Sequence, residues 1–416
     1  MDTTKLSITL PPNEENESII KVLGVGGGGG NAVSHMYAQG IENVTFLVCN
    51  TDKAALAKSP VPQKLQLGPT GLGAGGKPER ARELAEESID EIREALSDGT
   101  RMLFITAGEG GGTGTGASPV VAKVAKEMDI LTVGIVTIPF EFEGKRKIRK
   151  ALRGVAELAE NVDALLVINN QKLCRIFPDL DIPNAFAKSD DVLANAAKSI
   201  AEIITVTNYI NTDFADVYNT LKNGGVAIMN VGQAGGEERI TKAIRNALDS
   251  PLVNTADVHG ASRVLIQFYC TEQHAIKMNE FDQIHQFMDE VGEDVEVQWG
   301  IGYDDTLGED VKVTIIATGY KVSDIPGIEE VKLEFANEQA AENQQEIEQP
   351  RKPTIDEAAE SFYGPEKSKK PEPEGPQTTD SKSTSPTANE SLIDIFSSEP
   401  NTDGEDDIPG WMRAKR

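Results

Sequence analysis

The sequence predicts an α/β protein: an N-terminal Rossmann-like parallel-sheet domain, a long central helix, a smaller α+β C-terminal domain and a disordered acidic tail. Three observations carry this prediction. Between Ile19 and about Ile210, strand-like apolar runs alternate with helical patterns, the order expected of parallel strands joined by helices. Two glycine-rich turns, Gly24–Asn31 and Gly110–Gly116, each follow directly on such a run. From about Ile325 the composition shifts to Glu, Gln, Pro, Ser, Thr and Lys. That stretch holds 21 acidic against 7 basic residues up to Asp407, a balance that cannot bury a core.

Taken in order, residues 1–18 are polar and lack a basic segment followed by an apolar one, so they do not read as a secretion signal. The first domain spans residues 19–189, with strands expected at Ile19–Val25, Val44–Asn50, Met102–Thr106, Thr132–Ile138 and Ala164–Asn169. A central helix with its following loop occupies residues 190–223. Val192, Ala196, Ile200, Ile203 and Ile204 recur at helical spacing from about Asp190 to Tyr209, with Lys198 and Glu202 opposite. Residues 224–324 form the second domain. Its strands are expected at Val226–Asn230, Arg263–Cys270, Val295–Ile301 and Val311–Thr318, and its helices near Glu237–Leu248 and Ile276–Val291. An acidic linker, 325–407, leads to a tip of different character, 408–416. The tip carries a charge of +3 and one of the two tryptophans. Ile408, Pro409, Trp411, Met412 and Arg413 read as a docking peptide on a flexible arm, since exposed apolar residues otherwise invite aggregation. A second apolar patch, Leu392–Phe396, is equally well read as a chance cluster.

The net charge of −27 argues against nucleic-acid binding, which needs clustered Lys and Arg. No apolar run approaches the ~20 residues of a membrane span. Cys49, Cys174 and Cys270 have no metal-ligand spacing, and each lies in or beside an apolar run. They read as free thiols in a reducing, cytoplasmic setting.

The chemistry concentrates in the glycine turns. Gly110, Gly111, Gly112, Thr113, Gly114, Thr115 and Gly116 stand between a strand and an apolar helix. Such a turn aims backbone N–H groups and a helix N-terminus at an anion, and its two threonines can add hydroxyl donors. A flexible linker would not run at once into Ala117-Ser118-Pro119 and a helix. The earlier turn holds Gly24, Gly26 and Gly29 in the GxGxxG pattern, which by itself is a weak sign of a dinucleotide site. Two cradles together favour a triphosphate held from two sides. A third stretch, Gly71–Pro78, nearly matches a P-loop. Pro78 replaces its Ser or Thr and no strand precedes it, so it reads only as a phosphate-side loop. Asn211, Asp213 and Asp216 follow the central helix. Capping is the ordinary role of such residues, whereas two carboxylates three apart can also position a water. If the helix starts at the nucleotide, these acids lie roughly 30 Å from it and can reach only a neighbour's phosphates.

These motifs, in this order and spacing, resemble the FtsZ family of bacterial cell-division GTPases in the tubulin superfamily, over about Ile19 to Gly319. The resemblance implies GTP and GDP as ligands, Mg²⁺ as cofactor and potassium as a stimulant. It places Gly26, Gly27, Gly28 and Asn31 in the first nucleotide loop, and Ala74, Gly75 and Gly76 near the γ-phosphate. Gly110 to Gly116 match the signature that wraps the phosphates. Glu143 matches the ribose contact. Lys147 and Arg146 stand at or beside a position the family fills with Arg, and either can be the nucleotide contact. Asn170, Phe186 and Asp190 match the residues that face guanine. Asn211, Asp213 and Asp216 match the loop that completes the neighbouring subunit's active site. No residue declares itself as a metal ligand. The resemblance further implies head-to-tail filaments that scaffold the division ring at mid-cell, with the tail tip docking on membrane-tethering and regulatory partners. Two other readings compete: a dinucleotide-dependent oxidoreductase built on Gly24–Gly29, and a nucleotide-binding scaffold that does not hydrolyse.

Overall fold

The computed structural model describes residues 18–205, 209–210, 212–248, 260–292 and 294–329. Asn211, residues 1–17, the acidic linker from residue 330 onward, the Leu392–Phe396 patch and the docking tip at Ile408, Pro409, Trp411, Met412 and Arg413 lie outside the described residues.

The first half alternates strand and helix. Strand β1 (Ile20–Val25) leads into α1 (Gly26–Ala38), and β2 (Thr45–Asn50) into α2 (Lys53–Lys58). A short β3 (Gln63–Gln66), α3 (Pro78–Glu86) and α4 (Ile89–Ala95) follow. Then come β4 (Met102–Gly108), α5 (Thr113–Glu127), β5 (Leu131–Ile138), α6 (Lys145–Ala159), β6 (Ala164–Asn169) and α7 (Asn170–Ile176). Strands β1, β4 and β5 are buried along nearly their whole length. That is why they read as continuous apolar runs rather than alternating ones. β3 escaped the sequence reading because Gln63-Lys64-Leu65-Gln66 is polar and short, as suits an edge strand.

The long helix α8 (Ile182–Thr205) is followed by α9 (Phe214–Leu221), β7 (Gly225–Ala234), α10 (Arg239–Leu248), β8 (Arg263–Cys270), α11 (Phe281–Val291), β9 (Glu296–Tyr303) and β10 (Val311–Tyr320). α8 begins eight residues before the expected Asp190. Asp181 caps it, its Oδ1 accepting the Asn184 N–H at 2.9 Å. The cap lies before the apolar periodicity that the sequence reading followed.

All ten strands form one sheet, in the order β3-β2-β1-β4-β5-β6-β7-β10-β8-β9. The smaller second domain expected from the sequence joins the first through the sheet itself, because β7 pairs in parallel with the otherwise open edge of β6 at Ala164–Gly225 and Leu165–Val226. β10 runs antiparallel to both β7 and β8, whereas every pair from β3 to β7 is parallel. Apolar cores cover both faces. On one face α8 buries Leu193, Ala197, Ile200 and Ile203 against a cluster that also includes Ala164, Ala227, Leu265 and Ile316 from both halves. At roughly 1.5–3 kcal/mol for each fully buried large side chain, Leu193, Ile200 and Ile203 hold this helix firmly on that face.

Candidate active site

The strand order places a topological switch between β1 and β4, since the chain goes to β2 on one side and to β5 on the other. In open parallel sheets, ligands bind in the crevice at the carboxyl ends of the strands flanking such a switch. Both glycine turns sit there, one after β1 and one after β4. They open onto a cleft of about 570 Å³.

One end of the cleft is backbone. α1 starts at Gly26 and α5 at Thr113, and neither has a side-chain cap, so their first N–H groups are left for a ligand. Gly27, Gly28 and Asn31 of α1 line the cleft beside Gly111, Gly112, Thr113 and Gly114. The two helix starts nearly touch. Gly26 has φ +74°, and a Cβ there would lie 2.7 Å from the Gly114 nitrogen. The third glycine loop closes this end with Gly73, Ala74, Gly75 and Gly76, ahead of α3 and its first-turn Pro78. Gly26, Gly110, Thr115 and Gly116 do not line the cleft, and they act as framework. Thr115 Oγ1 accepts the Gly110 N–H at 2.8 Å. A Cβ on Gly116 would meet the Pro78 carbonyl at 2.0 Å.

The other end is built from side chains. Asn170 is buried at the β6–α7 junction, and its Oδ1 accepts the Ser189 hydroxyl at 2.7 Å. Phe186 and Asp190 lie about one and two turns into α8. The Phe186 ring meets Phe140 edge-on at 5.1 Å, and Phe140 stacks on Phe142 at the same separation. Phe186 remains 40% exposed, so the cluster holds the ring without covering it. Burial pushes the Asp190 carboxyl up to about 6; His35 pulls it back and Asp191 adds to the rise. Between the ends, Glu143 accepts the Phe140 N–H at 3.0 Å and pairs with Lys147. Lys147 lines the cleft; Arg146 does not.

Several cleft residues escaped the sequence reading: Asn50, Thr51, Asp52, Gly108, Glu109, Thr137, Pro139, Ser189 and the apolar Ala55 and Leu193. Asn50-Thr51-Asp52 carried a usable signal, since polar turn residues directly after a parallel strand point at the carboxyl edge of the sheet. Thr51 and Thr113 hydroxyls meet at 2.7 Å, tying the β2 and β4 loops together. Among the described residues, no three His, Cys, Asp or Glu side chains gather as a metal site. Cys49 and Cys270 are buried free thiols, and Cys174 is half-buried.

Asp213 and Asp216 stand elsewhere. They cap α9 reciprocally: Asp213 Oδ1 accepts the Ala215 and Asp216 N–H groups, and Asp216 Oδ2 accepts the Asp213 N–H. Fifteen residues of α8 separate Asp190 from Thr205, a span of about 23 Å at 1.5 Å per residue, before the chain even reaches them. The connecting loop is pinned to β9, with Ile210 and Ile301 exchanging both backbone hydrogen bonds. Neither aspartate lines the cleft of its own chain.

Comparison with known proteins agrees with this architecture. Residues 19–178 match the Tubulin/FtsZ family GTPase domain, and residues 225–321 match the FtsZ family C-terminal domain. The chain is 53% identical over 306 residues to the cell division protein FtsZ of Porphyromonas gingivalis, covering 73% of this chain and 67% of that one. It is 42% identical over 334 residues to FtsZ of Aquifex aeolicus, covering 79% and 90%. Among solved structures, an FtsZ dimer from M. jannaschii superposes with a TM-score of 0.66 at 38% identity, covering 72% of this chain and 88% of that one. With both halves accounted for by one lineage of GTPases, the dinucleotide-oxidoreductase reading of Gly24–Gly29 falls away. The chain belongs to the FtsZ family of tubulin-like GTPases.

Proposed function

We propose that this GTPase hydrolyses GTP between subunits of a head-to-tail filament, and that the filament scaffolds the cytokinetic ring. The observation that carries this reading is a division of labour within one chain. The nucleotide cleft has its cradle and base pocket, whereas the acidic pair Asp213 and Asp216 sits beyond the far end of α8. A neighbour stacked along that axis would bring its own Asp213 and Asp216, with Asn211, onto the γ-phosphate. There they would orient the attacking water for in-line displacement.

Within the cleft, the N–H groups at the starts of α1 and α5 hold the phosphates, with Ala74, Gly75 and Gly76 at the γ end. Glu143 takes the ribose, and Lys147 rather than Arg146 is the cation beside it. Asn170, its Oδ1 engaged by Ser189, presents its amide nitrogen to the guanine O6. Ionised Asp190 accepts from the paired N1–H and N2–H donors, and Phe186 stacks on the base. Mg²⁺, held mainly by phosphates and water, would offset developing phosphate charge, and potassium is expected to stimulate turnover. Residues 19–189 then act as the nucleotide domain, 190–223 as the link carrying the hydrolytic loop, and 224–324 as the domain presented to the next subunit. The 325–407 arm would tether the 408–416 peptide to membrane-anchoring and regulatory partners at mid-cell in the cytoplasm.

The test is turnover per molecule as a function of protein concentration, with Mg²⁺ and potassium present. A threshold concentration is expected, because no isolated subunit holds a complete site. Asp216→Asn, which retains an acceptor for the Asp213 N–H, is expected to bind GTP normally while losing turnover at least hundredfold. A rate per molecule independent of concentration, or normal turnover by this variant, would overturn the shared-site reading.

A further inference from the structure

Glu109 is a cleft residue to which the reading above gives no task. It stands between β4 and the glycine run, its N–H donating to the Thr137 carbonyl at 3.0 Å. It is 3% exposed, and neither of its carboxyl oxygens has a hydrogen-bond partner. The side chain is wedged behind the phosphate loop, between α5 and α6. A Cβ added to Gly154 of α6 would lie 2.4 Å from Glu109 Oε2 and 2.4 Å from Thr115 Cγ2 of α5. An ionised carboxylate in such a place loses its hydration without gaining donors, and proteins answer that cost by holding the proton.

The surrounding charges do not relieve it. Burial pushes the Glu109 carboxyl up to about 7. The Thr115 hydroxyl lowers it, Glu157 of α6 raises it and the Ser118 hydroxyl lowers it. Those hydroxyls lie near enough to favour the charged form, yet neither closes a hydrogen bond on it. Among the cations on the packed elements, Arg82 of α3 pairs with Glu157, Lys147 pairs with Glu143 and Lys150 donates to the Gly76 carbonyl at 2.6 Å.

We propose that Glu109 is a proton-linked positioning residue of the phosphate loop: the site loaded with nucleotide holds it as the neutral acid, and emptying the site lets it ionise. The inference rests on the phosphates lying at the α5 N-terminus. A carboxylate behind that helix start and a polyanion in front of it then compete for the same positive end of the helix dipole, and they repel one another. Binding is therefore accompanied by uptake of a proton from solvent, which forms the O–H bond on the Glu109 carboxylate. No electrons move and no group leaves. The acid's hydroxyl then has the Thr115 and Ser118 oxygens within reach as acceptors, and the loop at Gly110–Thr113 is relieved of a buried charge. By linkage, nucleotide affinity falls as pH rises above neutrality and is insensitive to this group in acid.

The experiment is calorimetry of GDP binding to the nucleotide-free full-length protein at pH 7, in two buffers of different ionisation enthalpy. Wild type and Glu109→Gln are compared, so that titration of the nucleotide's own terminal phosphate cancels. Wild type is expected to take up about half a proton more per GDP bound than the variant, since a group near its pKa is half ionised. The difference should fall toward zero at pH 5, where Glu109 is already protonated in both states. Identical proton counts at pH 7 would overturn the proposal. Infrared difference spectra give an independent readout: GDP binding should raise a protonated-carboxyl band in wild type that Glu109→Gln lacks, and a wild-type spectrum without it would count equally against the proposal. If GDP gives no binding heat in wild type, the fault lies instead with the nucleotide reading on which this rests.

Discussion

The two ends of the nucleotide cleft solve the same problem, holding a charged and polar ligand, by different means. At the end proposed to hold the phosphates, the groups open to a ligand are backbone N–H groups of α1 and α5, which come preformed once the helices start where they do. At the end proposed to hold the base they are side chains from α7 and α8, set by burial and by neighbours such as Ser189, Phe140 and His35. A cradle of backbone needs glycine at fixed offsets from a strand, so it leaves a signature in the sequence. A pocket of side chains needs only the right residues brought together from distant places, so it leaves almost none. The difference also predicts how each end fails. The backbone end should fail through sterics, abruptly. The side-chain end should fail gradually and with pH.

The largest effect is expected from Gly26→Ala. The residue holds φ +74°, and the new Cβ would fall 2.7 Å from the Gly114 nitrogen, so the two helix starts must part. Loss of GTP affinity on the order of a hundredfold or more, about 3 kcal/mol, is expected in equilibrium binding. A change below tenfold would mean that the two turns do not act as one cradle.

Close behind comes the stability of Glu109→Gln. A buried carboxyl held near 7 and free near 4.3 in the unfolded chain leaves the unfolded state the readier to ionise. Wild type therefore loses stability between about pH 4.5 and pH 7 and recovers none of it above. The variant should match wild type at pH 4 and exceed it by about 3 kcal/mol at pH 8 in denaturant titrations. Equal stabilities at both pH values would show that Glu109 is solvated or paired in the folded protein.

The smallest effect, and the most diagnostic of the base end, is expected from Asp190→Asn. Its amide would set N–H groups against the guanine donors, costing about 2 kcal/mol, or roughly thirtyfold in GTP affinity. Preference for GTP over ATP should fall with it. Because burial holds Asp190 at about 6, wild-type affinity should also decline as pH drops through that value, and the variant should not. Together with Glu109, which weakens binding on the alkaline side, this gives wild type an affinity maximum between about 6 and 7. Competition binding across pH would reveal a plateau in place of a maximum if either group were miscast.

Where sequence reasoning fell short, the cause was tertiary in each case. β3 was hidden because Gln63-Lys64-Leu65-Gln66 pairs at an edge and has no apolar pattern of its own. α8 starts earlier than its apolar periodicity implies, because Asp181 caps the helix before its buried face begins. Glu109 passed unremarked inside a glycine motif. Nothing local distinguishes a solvated glutamate from one trapped between α5 and α6. Lys147 and Arg146 were indistinguishable in a basic run until the helical turn sent only Lys147 toward the cleft.

The sequence alone determined which chemistry this protein performs. Glycine spacing after β1 and β4, the order of strands and helices, and the acidic pair after the long helix are local patterns, each dictated by backbone conformations that few residues allow. Only the tertiary structure decided that both halves share a single ten-stranded sheet and that Glu109 is shut away from water. Those facts depend on distance and burial between residues far apart in the chain. Packing sets such quantities, and no local pattern encodes them.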